Sequence, residues 1–218
     1  MSQLVEVERR ALGCTRCPLA AGRSTVVFGE GDPHAPLMVV GEGPGREEDL
    51  QGRPFVGRSG HLLDRLLLEE AGLERSSVYI ANVVKCRPPN NRDPLPPEID
   101  ACRPYLESQI SLIDPVVILT LGNFASRTLL ATTEGITRLR GRTYPYPGGT
   151  GRTLVVPTFH PAAALRGGGE VVAKMRADIV RARRALEEAA AGSSPAPAGS
   201  SPARAGSSPA PAGDRSGA

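Results

Sequence analysis

Tryptophan is absent from this chain of 218 residues, and aromatic residues together make up 4% of it. A core built on large rings is excluded, so apolar burial has to come from Val, Leu, Ile and Ala. The length still suffices for one domain with a proper core. Lysine is nearly absent too: Lys85 and Lys174 are the only two, and every other base is an arginine. Guanidinium forks suit phosphate oxygens. A GC-rich genome produces the same bias, however, and a formal net charge of +3 does not announce a nucleic-acid binder. Long apolar runs are missing, and none approaches the length of a membrane span. The opening MSQLVEVERR is charged and lacks the apolar stretch of a secretory signal. A cytoplasmic protein with no membrane partner is expected.

Cysteine is scarce but arranged. A close pair, Cys14-Thr-Arg-Cys17, is followed far downstream by Cys86 and Cys102, each with an arginine directly after it (Arg87, Arg103). In a reducing compartment such a set reads as metal ligands rather than disulfides. Four converging thiolates suit a structural zinc or an iron–sulfur cluster, and the spacing does not separate the two. Either group would clip distant parts of one domain together.

The chain divides at about residue 190. From Ala191 onward a seven-residue Pro/Ala/Ser/Gly repeat offers no large side chain to bury, so residues 191–218 are expected to form a disordered tail. A tether for an unidentified partner is one use for it; a functionless extension is the plainer reading. Residues 1–190 should form the folded domain, acting as a monomer. Four apolar runs, Leu37–Gly41, Val78–Val84, Val116–Leu121 and Thr153–Thr158, read as strands buried on both faces. Helical patterns lie between and after them: the Leu62–Leu67 face, Ile99–Ile113, Asn123–Leu130 and Val171–Ala190. This order implies an α/β fold with a parallel sheet covered on both sides. Ligands of such folds sit outside the carboxyl ends of the strands.

Those ends carry the unusual residues. The first strand runs into Gly41-Glu-Gly-Pro-Gly-Arg-Glu-Glu-Asp49. It fails as a dinucleotide fingerprint because Arg46 stands where the third glycine belongs and Pro44 interrupts the loop. Its acids, Glu47, Glu48 and Asp49, would repel a pyrophosphate and instead read as negative charge at a helix N-terminus. Asn82 lies near the end of the second strand. Its amide offers an acceptor beside a donor, which matches the N3–H and O4 edge of uracil and mismatches cytosine. His160 follows the fourth strand. His34 and His61 read as ordinary loop histidines.

Together GEGPGREED, GRPFVG (Gly52–Gly57), NVVKCRPP (Asn82–Pro89), ACRPYL (Ala101–Leu106), FHPAAALR (Phe159–Arg166) and the N-terminal CxxC resemble the family 4, or iron–sulfur, uracil-DNA glycosylases. The resemblance covers Cys14 through Arg166. It implies a three-layer α/β/α domain with a central four-stranded parallel sheet, and a [4Fe–4S] cluster on Cys14, Cys17, Cys86 and Cys102. It implies removal of uracil from single- or double-stranded DNA by hydrolysis of the glycosidic bond. Phe55 would stack on the flipped base, Asn82 would read its edge, His160 would face O2, and Glu42 and Gly43 would line the sugar and base. The HPAAALR segment would be a loop that probes the duplex, with Leu165 as the wedge and Arg166 beside it. Gly43 stands where related glycosylases place an aspartate, which leaves Glu42 and Glu48 as the carboxylates available to position water. Gly45 stands where a bulky aromatic often excludes thymine, so that exclusion is assigned to the Glu47–Glu48 backbone. The histidine-bearing KRRIH insert of related enzymes that trap DNA covalently is absent, so turnover is expected. The competing readings are an iron–sulfur electron-transfer protein and a four-cysteine zinc module that binds nucleic acid.

Overall fold

The computed structural model describes residues 3–148 and 151–192. Its centre is formed by β2 (Leu37–Gly41), β3 (Tyr79–Asn82), β4 (Val117–Leu121) and β6 (Leu154–Thr158), all parallel to one another. Every residue of β2, β3 and β4 is buried. This is why the runs are continuously apolar rather than alternating. The alternation survives as a division between two cores. Leu37, Val39, Ile80 and Leu119 face α3 (Arg58–Ala71) and α7 (Pro161–Gly192). Met38, Val40, Ala81 and Ile118 face α1 (Gln3–Leu12), α4 (Pro96–Ile113) and α5 (Gly122–Leu130). Three layers result, as expected.

Strand number is a correction. The sheet has six strands in the order β1-β3-β2-β4-β6-β5, not four. The additions are β1 (Glu30–Gly31) and β5 (Tyr144–Pro145), each antiparallel to its neighbour at an edge. Two residues are too few to show a period in a sequence. The second strand is also shorter than its apolar run: β3 stops at Asn82, and the N–H groups of Val83 and Val84 bond the carbonyls of Gly41 and Glu42 at 2.9 and 3.1 Å.

A second correction concerns HPAAALR, which is helical. Pro161 opens α7, where its missing N–H costs nothing, and the N–H groups of Ala163 and Ala164 bond the His160 carbonyl. The helix kinks at Gly168 (φ +69°) and continues to Gly192, two residues past the expected domain boundary. α1, the short α2 (Arg46–Gln51) and α6 (Ile136–Leu139) complete the α-helices among the described residues. The remainder of the repeat tail lies outside the described residues. Among the described residues no helix is long and apolar enough to cross a membrane.

Candidate active site at the carboxyl ends of the strands

The carboxyl ends of the parallel strands open into a cleft of about 600 Å³. Glu42, Gly43 and Glu48 reach it from the loop and helix after β2, Asn82 from the end of β3, and His160 from the turn after β6. Phe55 and Arg166 line the same cleft. Leu165, 42% exposed, lies on the first turns of α7 and is not among the lining residues.

Two glycines allow this convergence. A Cβ on Gly41 would stand 2.4 Å from Asn82 Oδ1 and 2.5 Å from Phe55 Cζ, so only glycine lets both side chains lie over the strand end. Gly60 admits the Phe55 carbonyl, which a Cβ there would meet at 1.7 Å. Phe55 itself adopts φ +51°, a sparsely populated conformation for a bulky residue. Arg75 holds it there: the guanidinium donates to the carbonyls of Phe55 and Pro54 and to the carboxylates of Asp64 and Glu30. The Phe55 and His160 rings are 5.8 Å apart between centroids and tilted by 32°.

Asn82 is 2% exposed, and its Oδ1 has no hydrogen-bond partner. A buried acceptor left unpaired is costly unless a ligand completes it. His160 accepts a hydrogen bond at Nδ1 from the Ala162 N–H, at 3.1 Å. Nδ1 is therefore the bare nitrogen, and the ring proton sits on Nε2 as a donor. Burial, with the nearby Arg166 cation, pushes the imidazole pKa down to about 4. The ring is neutral at physiological pH.

The two carboxylates differ. Glu48 sits at the third position of α2 and accepts the N–H groups of Gly45 (3.1 Å), Val56 (3.0 Å) and Gly57 (3.2 Å). It fastens the glycine loop to the segment that carries Phe55. Glu42 is half-buried at the cleft, and burial with the nearby Asp93 carboxylate raises it to about 7. Asp49 lies in the first turn of α2, as read, and does more than face its dipole. Asp49 is 2% exposed and accepts the N–H of Ser24 at 2.9 Å, while its own carbonyl accepts the Thr25 hydroxyl at 2.6 Å. Glu47 is exposed in the first turn of α2, as a dipole-facing acid would be.

All four cysteines border one small cavity. None is in a disulfide. Arg23 donates to the Cys14 carbonyl at 2.7 Å and to Cys86 Sγ at 3.3 Å, and the Lys85 N–H donates to Cys102 Sγ at 3.3 Å. Burial pushes the Cys86 and Cys102 thiols up, opposed by Arg23 and Lys85 respectively. Such an all-sulfur set, with N–H groups aimed at it, suits a thiolate-bound group. Among the described residues no three His, Cys, Asp or Glu side chains close around a single ion.

Lys85 and Arg75 are the site residues that sequence reasoning missed. Their partners lie far along the chain, and no local pattern announces them. The one available signal was the rarity of lysine itself.

Residues 28–187 match the model of the uracil DNA glycosylase superfamily. A type-4 uracil-DNA glycosylase of Sulfurisphaera tokodaii is 46% identical over 169 residues, covering 76% of this chain and 77% of that protein. The Thermotoga maritima type-4 uracil-DNA glycosylase is 50% identical over 161 residues, covering 73% of this chain and 82% of that protein. A type-5 uracil-DNA glycosylase of Pyrobaculum aerophilum is 32% identical over 151 residues, covering 56% of this chain and 66% of that protein.

Proposed function

The chain belongs to the uracil DNA glycosylase superfamily, among its type-4 members, and on that premise we propose how its cleft removes uracil from DNA. The observation that carries the proposal is the unpaired Oδ1 of Asn82, buried beside Phe55 at the cleft. Uracil inside a duplex is out of reach, so it is extruded at a cost of a few kcal/mol, least at a mismatch. Leu165, exposed at the start of α7, enters the gap, and Arg166 takes a phosphate. Arg46 and Arg58 also line the cleft and add positive charge for the backbone.

The everted base stacks on Phe55, a contact worth roughly 1–3 kcal/mol. Asn82 Oδ1 accepts its N3–H and the amide N–H donates to O4; cytosine presents the reverse pattern. As the glycosidic bond breaks, electron density moves onto the uracil ring. The Nε2–H of His160 meets it at O2 as a preorganised neutral donor. Glu42, not Glu48, positions the water that adds to the sugar carbon, because the oxygens of Glu48 already bind three backbone N–H groups. Its carboxyl near 7 is matched to that work at neutral pH. The products are free uracil and an abasic site, the first step of base excision repair. Gly43 lines the sugar side, and the Glu47–Glu48 backbone excludes the thymine methyl.

Cys14, Cys17, Cys86 and Cys102 would hold a [4Fe–4S] cluster, which when bound cross-links the segment after α1 to the β3–α4 connection and to α4. A cluster several atoms across suits thiols that ring a cavity better than one zinc ion does. The working unit proposed is a cytoplasmic monomer, with residues 191–218 as a tether for an unidentified partner.

The test is incubation with a uracil-containing oligonucleotide, then alkali. Strand breaks at uracil, and none at thymine or cytosine, are expected. Intact uracil strands would refute the assignment.

A further inference from the structure

Lys85 is one of only two lysines in the chain and is 1% exposed. A buried ammonium is costly unless its donors are matched. Here they are. Nζ donates to the main-chain carbonyl of Asn82 at 2.8 Å and to Gln109 Oε1, and it lies 5.8 Å from the centre of the Phe28 ring. Gln109 is fixed in turn. Its Nε2 donates to the Phe28 carbonyl at 2.9 Å and to the Tyr79 hydroxyl at 3.1 Å, which leaves Oε1 turned toward the lysine. Gln109 is fully buried on α4, and Tyr79 opens β3. The lysine thus links the end of β3 to a helix that packs below the sheet.

The position of that carbonyl matters. Asn82 is the last residue of β3 in register with β2, where it faces Gly41. Its side-chain amide can tell uracil from cytosine only while its donor and acceptor stay in one orientation. Gly41, having no Cβ, leaves the space that Oδ1 occupies. The peptide that follows Asn82 sets the direction of its Cα–Cβ bond, and Lys85 grips the carbonyl of that peptide.

We propose that Lys85 is a positioning residue for uracil recognition, its ammonium fixing the Asn82 main chain so that the amide meets the base in one pose. The inference rests on Asn82 being the base reader. Lys85 is not among the residues lining the cleft, and its ammonium bears on the cleft through the Asn82 carbonyl. Lysine is needed rather than an apolar residue of similar length because two carbonyl-type oxygens, from different elements, point at one spot.

A double-mutant cycle separates this role from general support of the fold. Single-turnover uracil excision is measured for the wild type, Lys85→Met, Asn82→Ala and the double variant, with iron per chain and the thermal transition recorded for each. Lys85→Met is expected to slow excision by on the order of tenfold when Asn82 is present, and by less than about twofold in the Asn82→Ala background. If Lys85→Met does not yield folded protein, Lys85→Gln goes through the same cycle, since its shorter amide still offers Gln109 a donor. An equal loss in both backgrounds overturns the proposal, as does no loss in either; an equal loss with falling iron would instead assign Lys85 to the cysteine site. An Asn82→Ala variant as active as the wild type would remove the base-reading assignment, a failure distinct from that of the lysine link.

Discussion

Replacing His160 by alanine tests the chemistry of the cleft at one atom. The Ala162 N–H occupies Nδ1, so the donor lost is the Nε2–H. With the imidazole held near 4, only about one ring in a thousand carries a charge at neutral pH. The group removed is therefore a neutral donor, which in the proposed mechanism meets the negative charge developing on uracil. Loss of one such donor costs about 3–4 kcal/mol in the transition state, or about 100- to 1,000-fold in rate. Because the donor stays neutral, the wild-type to variant ratio should be flat from about pH 8 down to about pH 5.5. The assay is single-turnover release of uracil with enzyme in excess, with DNA affinity followed separately by fluorescence anisotropy and expected to change little. A loss smaller than about threefold would make His160 structural. A ratio that climbs steeply toward acid would show that the imidazolium does the work.

Three further substitutions address the rest of the cleft and the cysteine site. If Glu42, raised to about 7, positions water as the proposed carboxylate, excision should fall about tenfold per pH unit below 7 and level off above it. Glu42→Gln should lower the rate and abolish that limb; an unchanged limb would assign it to another group. Gly41→Ala puts a methyl 2.4 Å from Asn82 Oδ1 and should cut excision by at least about tenfold while the thermal transition moves much less. Normal excision by this variant would show that the site tolerates displacement of Asn82 and Phe55. Cys86→Ser opens the thiolate set and should lower iron, sulfide and the thermal transition together; a stable, iron-free and active variant would uncouple the metal from the fold.

The central strands were legible because Leu37–Gly41 and Val117–Leu121 are covered on both faces and had to be apolar throughout. The edges were not, since Glu30–Gly31 and Tyr144–Pro145 are held by their neighbours' ladders rather than by composition. The start of α7 was hidden by Gly167-Gly168-Gly169, which reads as a break although only Gly168 departs from helical geometry. Within the site, Asn82, Phe55 and His160 could be named because their chemistry and motif context stand out locally. The duties of Glu48, Asp49 and Lys85 could not. Each is defined by a partner reached only after folding: Val56 and Gly57, Ser24, and Gln109. Glu48 and Asp49, first-turn acids of α2 as read, also fasten that helix to other segments.

Crystals of the protein with free uracil provide the most direct measurement. The pyrimidine should lie against Phe55, with N3 within about 3 Å of Asn82 Oδ1 and O2 facing His160 Nε2. Uracil bound elsewhere, or seated in the cleft with Asn82 Oδ1 still unpaired, would contradict the proposed recognition.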